Sequence, residues 1–182
     1  MRAPQIAGML WPTQPTLEPF SLEDARGGSF DTSSLRGKWT LLFLGYTHCP
    51  DICPTTLATL KGVNNALRDF PTFARDGQVV FVSVDYERDK ADVLRSYVEY
   101  FEPSFRAASA APAQLHLLLG QLGMTAVKTT SDDSPDYWYE HSSEIVLLGP
   151  DLRVLALFDY PHDAGDIAAR LRAIIKFMHS MR

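Results

Sequence analysis

Leu41-Leu42-Phe43-Leu44-Gly45-Tyr46-Thr47-His48-Cys49-Pro50-Asp51-Ile52-Cys53-Pro54 passes from an uninterrupted apolar run straight into the chain's two cysteines, each followed by proline. Residues 38–46 read as a buried strand. Beyond the cysteines, Leu57, Leu60, Val63, Leu67 and Phe70 recur every three or four positions, the spacing of one helical face. Proline is tolerated in a first helical turn, so the helix is expected over 54–70. The thiols therefore stand where a strand gives way to a helix, the place where open α/β sheets carry their sites.

Working outward, residues 20–23 and 28–30 flank Gly27-Gly28 and predict a small hairpin. Val79-Val80-Phe81-Val82 predicts a second buried strand over 78–85. Helices are expected over 89–101, capped by Asp89 and stopped before Pro103, and over 112–122, closed by Gly123. Residues 144–148 and 153–158 read as a late antiparallel hairpin around Gly149-Pro150-Asp151-Leu152, and a last helix runs over 163–178. Strand, helix, strand, helix, helix, hairpin, helix is the order of a layered α/β protein. More closely, it is a thioredoxin-like three-layer fold with a central mixed sheet, an extra N-terminal β-hairpin and a late antiparallel β-hairpin. Residues 1–19, with Pro4, Pro12, Pro15 and Pro19, read as an extended lead-in, and residues 20–182 as the domain.

The 182 residues are 46% hydrophobic and 21% charged, enough for one well-filled core. A formal net charge of -5, with no basic run, removes nucleic acid from the partners, because phosphate binding needs clustered cations. The apolar N-terminal stretch 6–11 is too short to span a bilayer, which takes about 20 apolar residues. A signal-peptide pattern is not evident.

A thiol at a helix start meets unpaired backbone N–H groups and the positive end of the helix dipole, and both favour thiolate. Thiolate attacks disulfides and is also the ligand that soft ions such as Cu(I) prefer. Three intervening residues permit either an intramolecular disulfide or two sulfurs on one metal. A specific metal site needs a third donor, and the histidines are His48, His116, His141, His162 and His179. His48 adjoins Cys49 and points elsewhere. His116 lies in a helix, and His162 and His179 fall in the last loop and helix. His141 precedes the 144–148 strand, in a loop expected beside the cysteine helix.

These residues resemble the SCO/SenC family. The resemblance rests on Gly45-Tyr46-Thr47-His48-Cys49-Pro50-Asp51-Ile52-Cys53-Pro54-Thr55-Thr56-Leu57, on Ser83-Val84-Asp85-Tyr86-Glu87-Arg88-Asp89, and on His141-Ser142 before a strand. It implies a thioredoxin fold that binds copper, Cu(I) or Cu(II), through Cys49, Cys53 and His141, with Asp85 in a supporting position behind them. It further implies a metallochaperone that supplies copper to, or keeps reduced the cysteines of, the dinuclear copper centre of cytochrome c oxidase. The partners would be the copper-centre subunit of that oxidase and a copper donor or thiol reductant. The resemblance also implies an extracytoplasmic domain tethered by an N-terminal membrane anchor that precedes the lead-in, and the periplasmic face of a bacterial inner membrane is expected ahead of a mitochondrial location. Tyr86 stands where the family usually has proline, and Glu140 where it usually has aspartate; both departures bear on loops and partner choice.

Two other classes compete for the dithiol. A peroxidase of peroxiredoxin type wants threonine three residues and proline seven residues before its cysteine. Cys53 has Pro50 and Tyr46 there, and Cys49 has Tyr46 and Leu42, so both fail. A thiol-disulfide oxidoreductase, or a copper or redox sensor, would use Cys49 and Cys53 as a redox-active pair. Tyr137-Trp138-Tyr139 reads as packing for its loop ahead of a docking surface, and Asp132, Asp133 and Asp136 as a solvated acidic loop.

Overall fold

The run 41–44 is buried on both sides, because alternate residues of a strand point to opposite faces and both faces here are covered. Leu41 and Phe43 enter one core, Leu42 and Leu44 the other. The computed structural model describes residues 15–131 and 134–180, leaving out the side chains of 131–135. Most of the 1–19 lead-in, Asp132 and Asp133 lie outside the described residues.

In chain order the elements are β1 (Ser21–Asp24), β2 (Ser29–Asp31), α1 (Thr32–Leu35), β3 (Trp39–Gly45), α2 (Ile52–Ala66), α3 (Pro71–Asp76), β4 (Gly77–Ser83), α4 (Ala91–Phe101), β5 (Arg106–Ser109), α5 (Pro112–Leu122), β6 (Ala126–Ser131), β7 (Ser134–His141), β8 (Ile145–Leu148), β9 (Val154–Phe158) and α6 (Ala164–Ser180). A seven-stranded mixed sheet has the order β2-β1-β5-β4-β3-β8-β9, and β6 and β7 form a separate ribbon. Strand β3 pairs parallel with β4, and β4 with β5, while β8 lies antiparallel to β3 and β9 to β8. Leu57, Leu60 and Val63 of α2, Leu94 and Val98 of α4, and Leu171, Ile174 and Ile175 of α6 cover one face. Leu35 of α1 and Leu115, Leu118 and Leu119 of α5 cover the other. This is the expected thioredoxin-like three-layer arrangement, with both hairpins in place.

Several boundaries differ from the sequence expectation, each for a physical reason. Helix α2 begins at Ile52 rather than Pro54, so Cys53 lies inside its first turn. Pro54 is tolerated there because first-turn N–H groups have no intrahelical partner. The helix ends at Ala66; Phe70 instead caps the short α3, whose Pro71 fixes a new start. Helix α4 begins at Ala91 behind Lys90, and Asp89 is no cap: its buried carboxylate serves the loop before α2. Strand β5 is alanine-rich and short, with no alternation to reveal it.

The largest difference lies between α5 and β8, where a loop was expected. Residues 126–141 instead form the β6–β7 ribbon, in register Ala126↔His141, Lys128↔Tyr139 and Thr130↔Tyr137. Tyr137, Tyr139 and His141 alternate along one face and are half-buried, while Trp138 and Glu140 are exposed on the other. His141 is thus the last residue of a strand, not part of a loop.

Candidate metal centre

Three elements deliver the site. Cys49 sits on the turn that leaves β3, where its N–H donates to the Tyr46 carbonyl at 3.2 Å. Cys53 enters from the first turn of α2, and His141 from the end of β7. One ligand atom from each lies within 4.8 Å of the others. Cys53 Sγ is 3.8 Å from His141 Nε2, and both cysteines are free thiols. The cysteine pair and His141, singled out from sequence, are thus brought together. A cavity of about 400 Å³, lined by Cys49, Pro50, Asp51, Ile52, Tyr139, Glu140 and His141, opens the group to solvent.

Gly45 makes the approach of α2 to the strand end possible. A Cβ at this position would stand 2.6 Å from Cys53 Sγ and 2.6 Å from Phe81 Cε2. No side chain fits there, so the thiol packs directly on the strand backbone.

The two sulfurs are electrostatically unequal. Cys49 is lowered to about 4, chiefly by the hydrogen bond from the Cys53 thiol, with the backbone N–H groups of Cys53 and Asp51 acting in the same direction. Cys53, fully buried, is pushed up because its proton is held on the Cys49 sulfur and because burial penalises a second negative charge. The pair thus shares one proton. Cys49 carries the charge and reaches solvent; Cys53 waits behind it.

His141 is oriented by its backbone neighbour. Its Nδ1 lies 2.9 Å from the Ser142 carbonyl, which only accepts, so Nδ1 carries the proton and Nε2 faces the sulfurs. The edges of Phe43 and Tyr46 hold the ring, with centroids at 6.3 and 5.9 Å. Two thiolate positions and one imidazole Nε2 make a soft, three-donor set, which suits Cu(I) better than a hard cation.

Asp85 is fully buried but does not belong to this donor group. Its carboxylate accepts from Arg88 Nε and, at 2.9 Å, from the Tyr137 hydroxyl. The Arg88 guanidinium lies 3.7 Å over the Tyr137 ring and 5.9 Å from the Tyr46 centroid. Burial, with Asp85 accepting its proton, holds the Tyr137 phenol above its usual range. Asp89 accepts from Thr47 N at 2.9 Å, Thr47 Oγ1 at 2.5 Å and Ser83 Oγ at 2.6 Å, fixing the turn that carries Cys49. Sequence reasoning missed Arg88, Tyr137 and this use of Asp89. The alternation Tyr137-x-Tyr139-x-His141 was the available signal for Tyr137, since period two marks one face of a strand; Arg88 had no such signal.

Tyr86, the departure in the 83–89 stretch, turns its hydroxyl toward Glu23 at 3.4 Å and its ring under Lys90 at 4.6 Å. It leaves the Asp85–Arg88 contact intact. His48 is exposed, 3.9 Å from an Asp89 oxygen, and outside the sulfur group.

Fold and site together define a thioredoxin-like domain that carries a dithiol and a distal imidazole at the end of its central strand. The SCO1/SenC family model matches residues 11–176, and the chain belongs to that family. Protein SCO1 homolog 1, mitochondrial, of Arabidopsis thaliana is 32% identical over 149 residues, 82% of this chain and 44% of that protein. Protein SCO2 homolog, mitochondrial, of Mus musculus is 32% identical over 162 residues, 89% of this chain and 63% of that protein. The chain therefore spans about half the length of these curated relatives. The crystal structure of Arabidopsis thaliana ScoI with copper bound superposes with a TM-score of 0.80 at 31% identity, covering 87% of this chain and 97% of that one.

Proposed function

We propose that the protein takes up copper through Cys49, Cys53 and His141 and passes it to the copper-centre subunit of a cytochrome c oxidase. The observation that carries this reading is the convergence of two sulfurs and an imidazole nitrogen within 4.8 Å, beside an open cavity that Cys49 and His141 line. The copper-bound Arabidopsis relative, with the same fold, supports the choice of metal. Copper is the cargo. A three-donor site on the surface leaves one side of the ion open, so a partner's thiolate can add before these ligands leave.

The redox state of the pair gates loading, since a Cys49–Cys53 disulfide has no thiolate to offer. The unequal sulfurs favour a linked reductase activity. Cys49 thiolate attacks a partner's disulfide and forms a mixed disulfide; Cys53 then loses its proton and attacks Cys49 Sγ, releasing the partner as a dithiol. The two electrons come from this pair, and an external thiol reductant restores it. Asp85 acts behind the ligands rather than on the ion. We place the domain on the periplasmic face of a bacterial inner membrane, following the family resemblance; no helix among the described residues is long and apolar enough to cross a membrane.

Anaerobic titration of the reduced protein with Cu(I) tests the reading. One tightly held ion per chain, lost on blocking the thiols, is the expected result. A reduced protein that takes up no Cu(I) overturns it.

A further inference from the structure

The third ligand is carried by an element outside the main sheet. The β6–β7 ribbon pairs only with itself among the named strands, so its seat on the body depends on side chains. At its site end, Ser142 joins Thr125 by backbone and hydroxyl hydrogen bonds of 2.9 and 3.0 Å, which close the ribbon without fixing it to the sheet. Four residues before His141 and on the same face, Tyr137 reaches across to the turn after β4. There its hydroxyl donates to Asp85 at 2.9 Å, its ring lies under Arg88 at 3.7 Å, and Lys128 of the paired strand bonds Glu87 at 2.9 Å.

Arg88 is the centre of this arrangement. Nε bonds Asp85, while Nη2 is buried without a hydrogen-bond partner among the described residues. The guanidinium is held instead by ring faces, 3.7 Å from the Tyr137 centroid and 5.9 Å from that of Tyr46. Tyr46 in turn touches Tyr139 at 5.7 Å and the His141 ring at 5.9 Å. Tyr137 itself adjoins Tyr139 at 6.0 Å. A contiguous chain of contacts therefore runs from a buried carboxylate on the body, through Arg88 and the edge-on rings, to the imidazole.

We propose that Asp85, Arg88 and Tyr137 form a latch that positions His141. Closed, it seats the ribbon with Nε2 toward the sulfurs. Open, it lets the ribbon and His141 withdraw together, leaving the ion on two thiolates and ready for a partner's ligands. Arg88 and Tyr137 are positioning residues, and their effect on copper passes through His141. This inference rests on the copper reading above.

The test is a double-mutant cycle of Tyr137→Phe and His141→Ala, with Cu(I) release to a competing chelator as the readout. Tyr137→Phe keeps the ring under Arg88 and removes only the hydroxyl, with its bond to Asp85 at 2.9 Å and its long contact to Glu87 at 3.5 Å. Release is expected to quicken about tenfold in the single variant, the usual scale for losing a ligand's outer support, and to be unchanged when the mutation is added to His141→Ala. In the metal-free protein, amide exchange across residues 137–142 should rise while that of α2 stays fixed. In the Cu(II) form, the imidazole nitrogen coupling should weaken in Tyr137→Phe. Arg88→Lys, which cannot stack and bond in the same way, should repeat the pattern. Equal acceleration of release with and without His141 overturns the latch, as does unchanged exchange across the ribbon. If His141→Ala alone leaves copper affinity intact, the ligand assignment fails instead, and the two failures are told apart.

Discussion

His141 Nε2 stands 3.8 Å from Cys53 Sγ although the two residues are 88 positions apart in the chain. Cys53 is placed by α2 and the main sheet, His141 by a ribbon outside it. Two independently supported elements thus meet on one small group of donors, and each support gives a separate handle on the chemistry.

The nearest handle is the imidazole. His141→Ala leaves two sulfurs and no nitrogen donor, so Cu(I) affinity is expected to fall by at least about 100-fold, above the range seen for outer-sphere changes. Disulfide exchange by Cys49 and Cys53 should persist, because that reaction involves only the sulfurs. Chelator competition and a thiol-exchange assay on one preparation check both halves.

The inequality of the sulfurs predicts an unusual pH profile. With Cys49 lowered to about 4, its charged form is present at neutral pH and is lost only as pH falls through that value. Alkylation of the reduced, metal-free protein by iodoacetamide should therefore stay nearly level from pH 7 to 5 and fall at lower pH. An ordinary thiol, with a pKa of about 8.5, would slow tenfold per unit over the same range. Mass mapping should place the first label on Cys49, since Cys53 is buried and keeps its proton.

Gly45→Ala puts a methyl group at 2.6 Å from both Cys53 Sγ and Phe81 Cε2. Overpacking of this kind costs about 1–3 kcal/mol. Denaturant unfolding should show that loss. Copper affinity should fall as well, because the displaced atom is a donor; a stable variant with unaltered affinity would contradict the close packing described.

Asp89→Asn replaces one acceptor oxygen of a buried carboxylate that receives hydrogen bonds from Thr47 N, Thr47 Oγ1 and Ser83 Oγ. An amide cannot accept all three, and each buried donor left unpaired costs about 1–3 kcal/mol. A lowered unfolding midpoint is expected, together with faster amide exchange at residues 46–49. Exchange confined to the start of α4 would point to a helix cap instead.

The legible parts of the fold were those with strong short-range signals. The apolar runs of β3 and β4, the i, i+3, i+4 face of α2 and Gly123, whose φ of 67° closes α5, each show within a dozen residues. Strand β5 gave no such signal, and the β6–β7 ribbon only the short alternation Tyr137-x-Tyr139-x-His141. Arg106-Ala107-Ala108-Ser109 has little apolar contrast, and the ribbon only half-buries one face, on which Tyr137, Tyr139 and His141 stand in place of aliphatic residues. Asp89 was read as a helix cap because an acid just ahead of an apolar periodic run usually is one. Its actual bonds reach back 42 positions to Thr47, beyond any local pattern.

The sequence by itself determined the dithiol: two cysteines four positions apart, at the passage from a buried strand into a helix, are brought near each other by local geometry alone. What the tertiary structure decided is which of them carries the charge, how the imidazole reaches them and what holds it there. Burial separates Cys53 from Cys49, the ribbon's register puts His141 on the inward face, and Asp85 and Arg88 seat that ribbon from another part of the chain. Desolvation and long-range contacts exist only once the chain has closed around them, so spacing in sequence cannot contain them.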